Sequence, residues 1–156
     1  MSSVDPMDSI EFDRSIIGID YDVGHHEVTE EQVIGFANAI GETNPLYLDK
    51  DAANNGPYGS LIAPPAYYTS INLEPGPDPK VKFGTTGFNA SQHCEFYEPM
   101  KVGDTITAKA QVARVYAKTG RTGTLVFTVR RTTYSNQHER VVTMVESSFV
   151  LRDMSQ

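Results

Sequence analysis

The sequence lacks the features that would place it in a membrane-spanning, secreted or disulfide-stabilised class. It has one cysteine, Cys94, which excludes an intrachain disulfide and is typical of a reducing compartment. No apolar run approaches the ~20 residues that a membrane-spanning helix needs, and the N-terminus has no charged segment followed by an apolar one, as a signal peptide would have. We therefore expect a cytoplasmic protein with no membrane among its partners.

Positive charge is also scarce, because 13 Lys and Arg residues stand against 20 Asp and Glu residues, for a formal net charge of -7. This disfavours nucleic acid as a partner, since neutralising phosphates requires an excess of Lys and Arg. The positive charges cluster between Lys101 and Arg131, where seven basic residues accompany the single carboxylate of Asp104. One face of the protein is expected to be basic, either as a solvated outer sheet face or as a landing surface for an anionic partner.

The length of 156 residues suits one domain with a substantial core. Residues 1–14 are polar, acidic and without periodicity, and we predict that they form a mobile N-terminal arm. Residues 15–153 then form the single domain. No internal repeat or low-complexity tract is present.

The first helix is predicted to begin at Thr29. Thr29 and Gln32 have the spacing of a capping box, in which each side chain satisfies a backbone N–H at the helix start. Gly41 supplies the C-terminal stop. The apolar residues between them share one face of the helix, and they are Val33, Phe36, Ala37 and Ile40.

Two pairs of neighbouring residues suggest metal binding or nucleophilic catalysis but do not have the geometry for either. His25 and His26 follow Gly24 in what we predict to be a turn leading to a brief strand at Glu27 and Val28. Neighbours in sequence point in different directions, and no third ligand lies at metal-binding spacing. We therefore expect no metal. For the same reason His93 and Cys94 are expected on opposite faces of a strand and cannot act as a base and its nucleophile.

The middle of the chain predicts a buried central helix. Pro64 and Pro65 suit the first positions of a helix, where a missing N–H is tolerated. Apolar or aromatic residues continue from Ala66 to Leu73 on nearly every side, which indicates burial. The proline-rich segment that begins at Pro75 ends the helix.

The second half of the sequence alternates between apolar and polar residues, which predicts strands. Short turn-rich links join consecutive strands, and such links are typical of antiparallel hairpins. One long curved sheet wrapped around one buried helix is an α+β fold. The four predicted strands are Phe88–Tyr97, Asp104–Lys118, Thr124–Tyr134 and Val141–Arg152.

The order of these motifs resembles the MaoC-like hydratases and dehydratases, which have the hotdog fold. The resemblance covers residues 17–152 and is closest to the N-terminal type of MaoC-like dehydratase domain. The chain also resembles the non-catalytic subunit of heterodimeric (3R)-hydroxyacyl dehydratases. The motifs that carry the resemblance are Glu42-Thr43-Asn44-Pro45, Ala63-Pro64-Pro65 and the hairpin from Pro99 to Gly103-Asp104.

The resemblance implies addition of water to an enoyl thioester, or the reverse elimination, with the acyl group carried on coenzyme A or acyl carrier protein and with no cofactor. In active members an Asp and a His handle the water and the protons, and a Gly amide polarises the thioester carbonyl. Glu42 stands at the Asp position, Tyr47 at the His position, and Pro64-Pro65 at the His-Gly pair. A phenol that titrates near pH ~10 is a poor substitute for an imidazole near ~6.5. Pro65 has no N–H to donate.

No residue is therefore assigned a confident catalytic role. The resemblance implies that hotdog domains act in pairs, so this chain is expected to supply acyl-binding wall and dimer scaffold to a second hotdog subunit that carries the Asp and His, or to form a homodimer. Plain core packing explains several of the candidate residues equally well. The candidate substrate-binding residues are Asn44, Tyr47, Ala63, Pro64, Pro65, Tyr67, Tyr68 and Ile71.

Two other functions stay open. A hotdog thioesterase would use Glu42 to activate water for attack on the thioester carbonyl. A non-enzymatic protein would bind acyl thioesters without any chemistry. The acyl group itself, fatty or steroid, is not determined by the sequence, and the basic segment would suit coenzyme A phosphates or an acidic acyl carrier protein.

Overall fold

A computed structural model describes residues 5–153, which form a five-stranded antiparallel sheet with three short α-helices. The strands lie in the order β1-β3-β4-β5-β2. The predicted α+β layout is confirmed. The elements in chain order are β1 (Tyr21–Glu27), α1 (Glu30–Ala39), α2 (Pro45–Leu48), α3 (Lys50–Asn54), β2 (Thr86–Phe96), β3 (Thr105–Gly120), β4 (Gly123–Ser135) and β5 (Val141–Arg152).

The four strands predicted from period-two alternation all form, with ends within two residues of the expected ones. Alternate residues of β3 face the core, where Ile106, Ala108 and Ala110 are buried. Register shifts interrupt β2 between Asn89 and Ser91, and β3 between Val112 and Arg114. Such bulges bend and twist the strands that carry them, so the sheet has a core face that wraps the packed interior and an outer face.

Strand β1 is the element that the sequence prediction misplaced. It runs from Tyr21 through Gly24, a residue that we expected in a turn, and pairs with β3. Gly24 adopts φ 146° beside a register shift, and the Asp22 carboxylate accepts its N–H at 3.0 Å. A glycine that the sequence presents as a turn residue therefore forms a bulge within a strand.

Helix α1 begins where predicted, because the Thr29 hydroxyl accepts the N–H of Gln32 at 3.3 Å. The Gln32 side chain accepts a hydrogen bond from the Tyr67 hydroxyl, so it is directed to the core, and the helix start uses the Gln32 backbone N–H. Val33 and Ala37 are fully buried, as expected of the apolar stripe. Ile40 is 52% exposed, so the stripe is one residue shorter than predicted.

The predicted central helix is shorter and tighter than expected, since Pro65–Ser70 is a six-residue 3₁₀ helix and the chain is extended from Ile71 onward. The hydroxyls of Thr69 and Ser70 bond back to carbonyls three residues earlier, at 2.8 and 2.7 Å, and compete with continuation of the helix.

Of the predicted N-terminal arm, residues 1–4 lie outside the described residues. The described part contacts the domain, because Ile10 is buried, the Asp13 N–H donates to the Pro79 carbonyl at 2.7 Å, and Glu11 pairs with Lys82 at 2.7 Å. Whether the arm is mobile, and the domain boundary at residue 15, stay predictions. Within residues 5–153 no helix is both long and apolar enough to cross a membrane.

The basic residues of the middle segment do not all share one face of the sheet, because Arg130 departs from the predicted basic face. Arg114 and Arg131 lie on the outer face, where both approach the Glu146 carboxylate at 3.9 and 2.9 Å. Arg130 lies on the core face, with its guanidinium 3.8 Å from Asp78. Adjacent residues of a strand alternate between faces, so Arg130 and Arg131 must separate. A landing role for the outer-face cations stays a prediction.

A buried carboxylate ties two turns of the sheet together and gives a stability prediction. Asp104 is 8% exposed and accepts hydrogen bonds from the Lys101 N–H at 2.8 Å and the Gln137 side-chain amide at 3.0 Å. Asp104→Ala is expected to lower the free energy of unfolding by about 2 kcal/mol, because two partly buried hydrogen bonds lose their charged acceptor. Urea unfolding measures this, with the exposed Glu74→Ala expected to change it by less than about 0.5 kcal/mol. Equal effects of the two substitutions would contradict the assignment.

Candidate functional site

Four of the predicted site residues come together at one cavity of about 250 Å³, which we call the aromatic pocket. Tyr47 approaches from α2, and Ala63, Pro64 and Pro65 form the wall at the start of the 3₁₀ helix. The opposite wall comes from the end of β2 and the following hairpin. The remaining lining residues are Tyr58, Ile62, Phe96, Tyr97, Glu98, Pro99, Met100 and Thr143.

The loop that precedes α2 is shaped by its own side chains. The Glu42 carboxylate accepts the N–H groups of Thr43 and Asn44 at 2.9 and 3.1 Å. The Asn44 side chain caps α2 by accepting the Leu46 N–H at 3.0 Å, and Pro45 occupies the first helical position. Glu42 and Asn44 thus form the turn that presents Tyr47, and neither lines the aromatic pocket.

The phenol of Tyr47 is neutral at physiological pH. Burial raises the pKa of Tyr47 above its usual value of 10.0, and the negative charge of Glu42 and the neighbouring Tyr58 raise it further. A phenol in this state can donate a hydrogen bond but cannot take a proton from water. The carboxylate of Glu98 also lines the pocket, but it is paired with the guanidinium of Arg140.

The pocket wall at Pro64-Pro65 offers no backbone donor. The Ala63 N–H is already bonded to the Met100 carbonyl at 2.8 Å, and the next two residues are prolines. The first N–H of the 3₁₀ helix therefore belongs to Ala66, one residue beyond the position that the family resemblance assigns to an oxyanion donor.

Two further predicted site residues lie in the core instead of at the pocket. Tyr67 is 1% exposed, and its hydroxyl lies 2.7 Å from His26 Nε2 and donates to Gln32 Oε1 at 3.3 Å. Its ring meets Phe36 edge-on at 5.7 Å. Burial lowers the pKa of His26, so this contact keeps a neutral imidazole. Ile71 is buried in the same core, and a role for either residue in substrate binding stays a prediction.

Tyr68 lies on the core face beside the pocket. Its ring is 6.2 Å from Phe96, which lines the pocket, and 5.8 Å from Tyr134. Its hydroxyl lies 3.2 Å from Cys94 Sγ and accepts from the Gln92 side-chain amide at 3.3 Å. Burial raises the pKa of both Tyr68 and Tyr134 to about 12, so both phenols stay protonated at neutral pH.

The neighbouring pairs diverge as predicted. His25 contacts Thr107 at 3.1 Å, whereas His26 contacts Tyr67. His93 contacts Glu95 at 3.2 Å, on the face opposite Cys94. Among the residues that the structure describes, no group of three His, Cys, Asp or Glu side chains is placed to hold a metal ion.

The sequence prediction missed three aromatic residues of the pocket, which are Tyr58, Phe96 and Tyr97. Phe96 is the last residue of β2 and Tyr97 follows it, and they are 49% and 56% exposed. The sequence signal for these two residues was their position next to the Pro99 hairpin, which is a motif of the family. A pair of large aromatic residues at such a place often marks a binding surface.

Strand β2 forms an open edge of the sheet. It pairs with β5 on one side, and no other strand of residues 5–153 pairs with it. Near the start of β2, Phe88 is 48% exposed, and Phe149 of the neighbouring strand β5 is 40% exposed. Phe96 and Tyr97 are exposed at the other end of β2. An unpaired edge with exposed aromatic residues is a surface on which another strand can be added.

Comparison of the sequence with known proteins gives one family. Residues 15–145 match the family model described as FAS1-like, dehydratase domain region. A UPF0336 protein from Streptomyces avermitilis is 27% identical over 139 residues, which cover 85% of this chain and 91% of that protein. A 3-hydroxybutyryl-CoA dehydratase from Methylorubrum extorquens is 28% identical over 95 residues, or 57% of this chain and 55% of that one.

Comparison with solved structures gives the same fold. A MaoC-like dehydratase from Rhodospirillum rubrum superposes with a TM-score of 0.69 at 18% identity, covering 90% of this chain and 94% of that one. A chain of the C-terminally truncated HadBC (3R-hydroxyacyl-ACP dehydratase) complex from Mycobacterium tuberculosis superposes with a TM-score of 0.64 at 20% identity, covering 86% and 96%. The predicted hotdog fold is therefore confirmed.

The tyrosines beside the pocket give a pH prediction. The pKa of Tyr134 is raised by burial from 10.0 to about 12, so the stability that its neutral form provides is fully present below pH about 10 and is lost as pH rises towards about 12. Tyr134→Phe cannot ionise, and its free energy of unfolding should fall less steeply across that interval than that of the wild type. Urea unfolding at a series of pH values measures both slopes, and parallel curves would show that Tyr134 ionises as freely in the folded as in the unfolded protein.

Proposed function

The chain belongs to the FAS1-like dehydratase domain family, and we propose that it is the non-reacting subunit of an enoyl-thioester hydratase or (3R)-hydroxyacyl-thioester dehydratase. In this role it supplies acyl-binding wall and dimer scaffold to a second hotdog subunit that carries the reacting Asp and His. The carrier of the acyl group is coenzyme A or acyl carrier protein, and no separate cofactor takes part.

The chemistry of the aromatic pocket is the observation that carries this proposal. Hydration places the water oxygen on C3 of the enoyl group and a proton on C2, which requires a base, an acid and a donor to the thioester oxygen. Here the Tyr47 phenol is neutral and its pKa is raised by burial. Glu42 is held by the N–H groups of its own loop. Pro65 has no N–H, so none of the three positions carries the group that active members use there.

The pocket is nevertheless suited to hold part of an acyl thioester. Its walls are the aromatic side chains of Tyr47, Tyr58 and Phe96 and the two prolines, with one carboxylate that is neutralised by Arg140. An apolar cavity of this kind favours hydrocarbon over charged groups. We assign the substrate contacts to Tyr47, Ala63, Pro64 and Pro65, with Tyr68 at the pocket's inner end.

The partner is proposed to add to the open edge of β2. Phe88, Phe96 and Tyr97 expose large apolar surfaces along that edge, and burying each would stabilise a complex. The Mycobacterium tuberculosis structure is named as a complex of a (3R)-hydroxyacyl-ACP dehydratase, which supports pairing of two such chains. A homodimer at the same edge is the alternative assembly, and the association experiment below applies to both.

The proposal predicts how activity divides between subunits. The purified chain alone should leave crotonyl-CoA unchanged, whereas the complex isolated with its second hotdog subunit should hydrate it, as measured by loss of the enoyl-thioester absorbance. Release of free thiol, assayed in parallel, would instead indicate a thioesterase. Hydration by the isolated chain that is abolished by Glu42→Ala would falsify the proposal. Saturable binding without turnover in the complex would favour a binding protein without chemistry.

Association should depend on the edge of β2. Phe88→Lys places a charge on an edge residue that is 48% exposed, and it should weaken association of the chain by about tenfold or more, because a buried aromatic contact is replaced by a desolvated cation. Ile19→Lys is the matched control, since Ile19 is also 48% exposed but lies outside β2. Sedimentation velocity over a concentration series measures both. If both variants associate like the wild type, the partner surface lies elsewhere.

A further inference from the structure

Beyond Tyr68, three adjoining cavities form one groove on the core face of the sheet. Their volumes are about 480, 220 and 230 Å³. The first two share Asn89 and Ser147, and the last two share Thr128, Arg130 and Phe149, so the cavities are continuous. We call this groove, defined by these five residues, the polar trough.

The trough exists because the segment that crosses the core face is short. The 3₁₀ helix ends at Ser70, and the extended chain that follows reaches only the far end of the trough, at Asp78 and Lys80. The strand register brings polar residues together between these points, because Ser147 of β5 lies between Gln92 of β2 and Arg130 of β4. A full helix would cover these residues, and here they line an open groove.

The trough is rich in hydrogen-bond donors that the protein does not use. Within residues 5–153, no hydrogen bond engages the side chains of Asn89, Thr128 or Ser147, although Thr128 is only 6% exposed. Arg130 has one carboxylate partner, Asp78, at the long distance of 3.8 Å. Amide, hydroxyl and guanidinium groups can all donate to oxygen. A plain hydrocarbon in the trough would desolvate these groups without replacing their bonds to water.

The charges around Arg130 favour an acceptor over a donor. Lys80 also lines this end of the trough, so two cations accompany the carboxylate of Asp78. The backbone N–H of Lys80 already donates to Asp78 at 3.0 Å. An oxygen acceptor, such as a carbonyl or carboxylate, therefore matches this end better than a hydroxyl or an amine would.

The trough lies in line with the aromatic pocket. Thr143 lines the pocket and Ser147 lines the trough, and residues four apart on one strand share a face. At a rise of ~3.3 Å per residue the two are separated by about 13 Å along β5. The trough also borders the edge of β2 through Asn89 and Gln92, where the proposed partner would add.

We propose that the polar trough binds the distal end of the acyl group and selects acyl groups that carry an oxygen acceptor there, through Arg130, Thr128, Ser147 and Asn89. This inference rests on the proposed function, since it takes the acyl thioester as the ligand. It adds that the preferred acyl group is oxygenated far from the thioester, which a plain fatty acyl group is not.

Calorimetric titration of the full chain tests this with three probes: decanoyl-CoA, sebacoyl-CoA, in which a carboxylate replaces the terminal methyl group, and free CoA. The wild type should bind sebacoyl-CoA about tenfold more tightly than decanoyl-CoA, the gain expected of a partly exposed charge-assisted hydrogen bond. Arg130→Gln should remove this preference, so that the variant binds the two acyl thioesters with similar affinities. Arg114→Gln on the outer face is the matched control and should keep the preference.

Each other outcome has a definite meaning. Equal affinities for the two acyl thioesters in the wild type, or a preference that survives Arg130→Gln, overturn the inference and leave the proposed function standing. If free CoA binds as tightly as both thioesters and Arg130→Gln weakens all three, the trough holds the CoA carrier. That result also overturns the inference about the acyl group. No affinity for either acyl thioester contradicts the proposed function as well. Should Arg130→Gln fail to fold, the isosteric Thr128→Val is expected to reduce the preference in its place.

Discussion

Pro64 and Pro65 remove two successive backbone N–H groups at the point where the chain reaches the core face of the sheet, and the chemistry of the site depends on this. The site has no amide donor at Pro65. The segment that follows is a 3₁₀ helix of only six residues, so the core face beyond Ser70 stays open. The prolines thus limit the chemistry of the site, and the short helix leaves space for a ligand.

The second constraint is electrostatic. Three phenols in or beside the pocket, Tyr47, Tyr68 and Tyr134, have pKa values raised by burial, and the imidazole of His26 has its pKa lowered by burial. Each of these groups is therefore neutral at physiological pH. Neutral groups of this kind suit apolar and weakly polar ligands, which agrees with the proposed binding role of this chain.

The sequence predicted the sheet well because its strands carry period-two alternation, most clearly at Ile106, Ala108 and Ala110 of β3, and a period of two has few other interpretations. It misplaced β1 because a bulge at Gly24 and a turn have the same local residues. It overestimated the central helix because apolar content indicates burial but not helix length, and the hydroxyls of Thr69 and Ser70 compete for backbone carbonyls near the helix end.

Sequence predicted only the part of the site that is built from local motifs. Tyr47, Ala63, Pro64 and Pro65 meet because they belong to local motifs that the family resemblance identifies. Tyr58 and the residues of the trough could not be found in this way, since contacts between distant segments bring them together. Arg130 shows this most clearly, because in sequence it belongs to a basic cluster and in the structure it faces Asp78 on the core side.

The central claim is that this chain binds but does not react, and the most direct test is kcat of the complete complex after Glu42→Gln and Tyr47→Phe are introduced together into this chain. The account predicts that kcat for hydration stays within about twofold of the wild-type complex, since neither side chain takes part in proton transfer. A fall of about 10²-fold or more, the effect typical of removing a general acid or base, would contradict it.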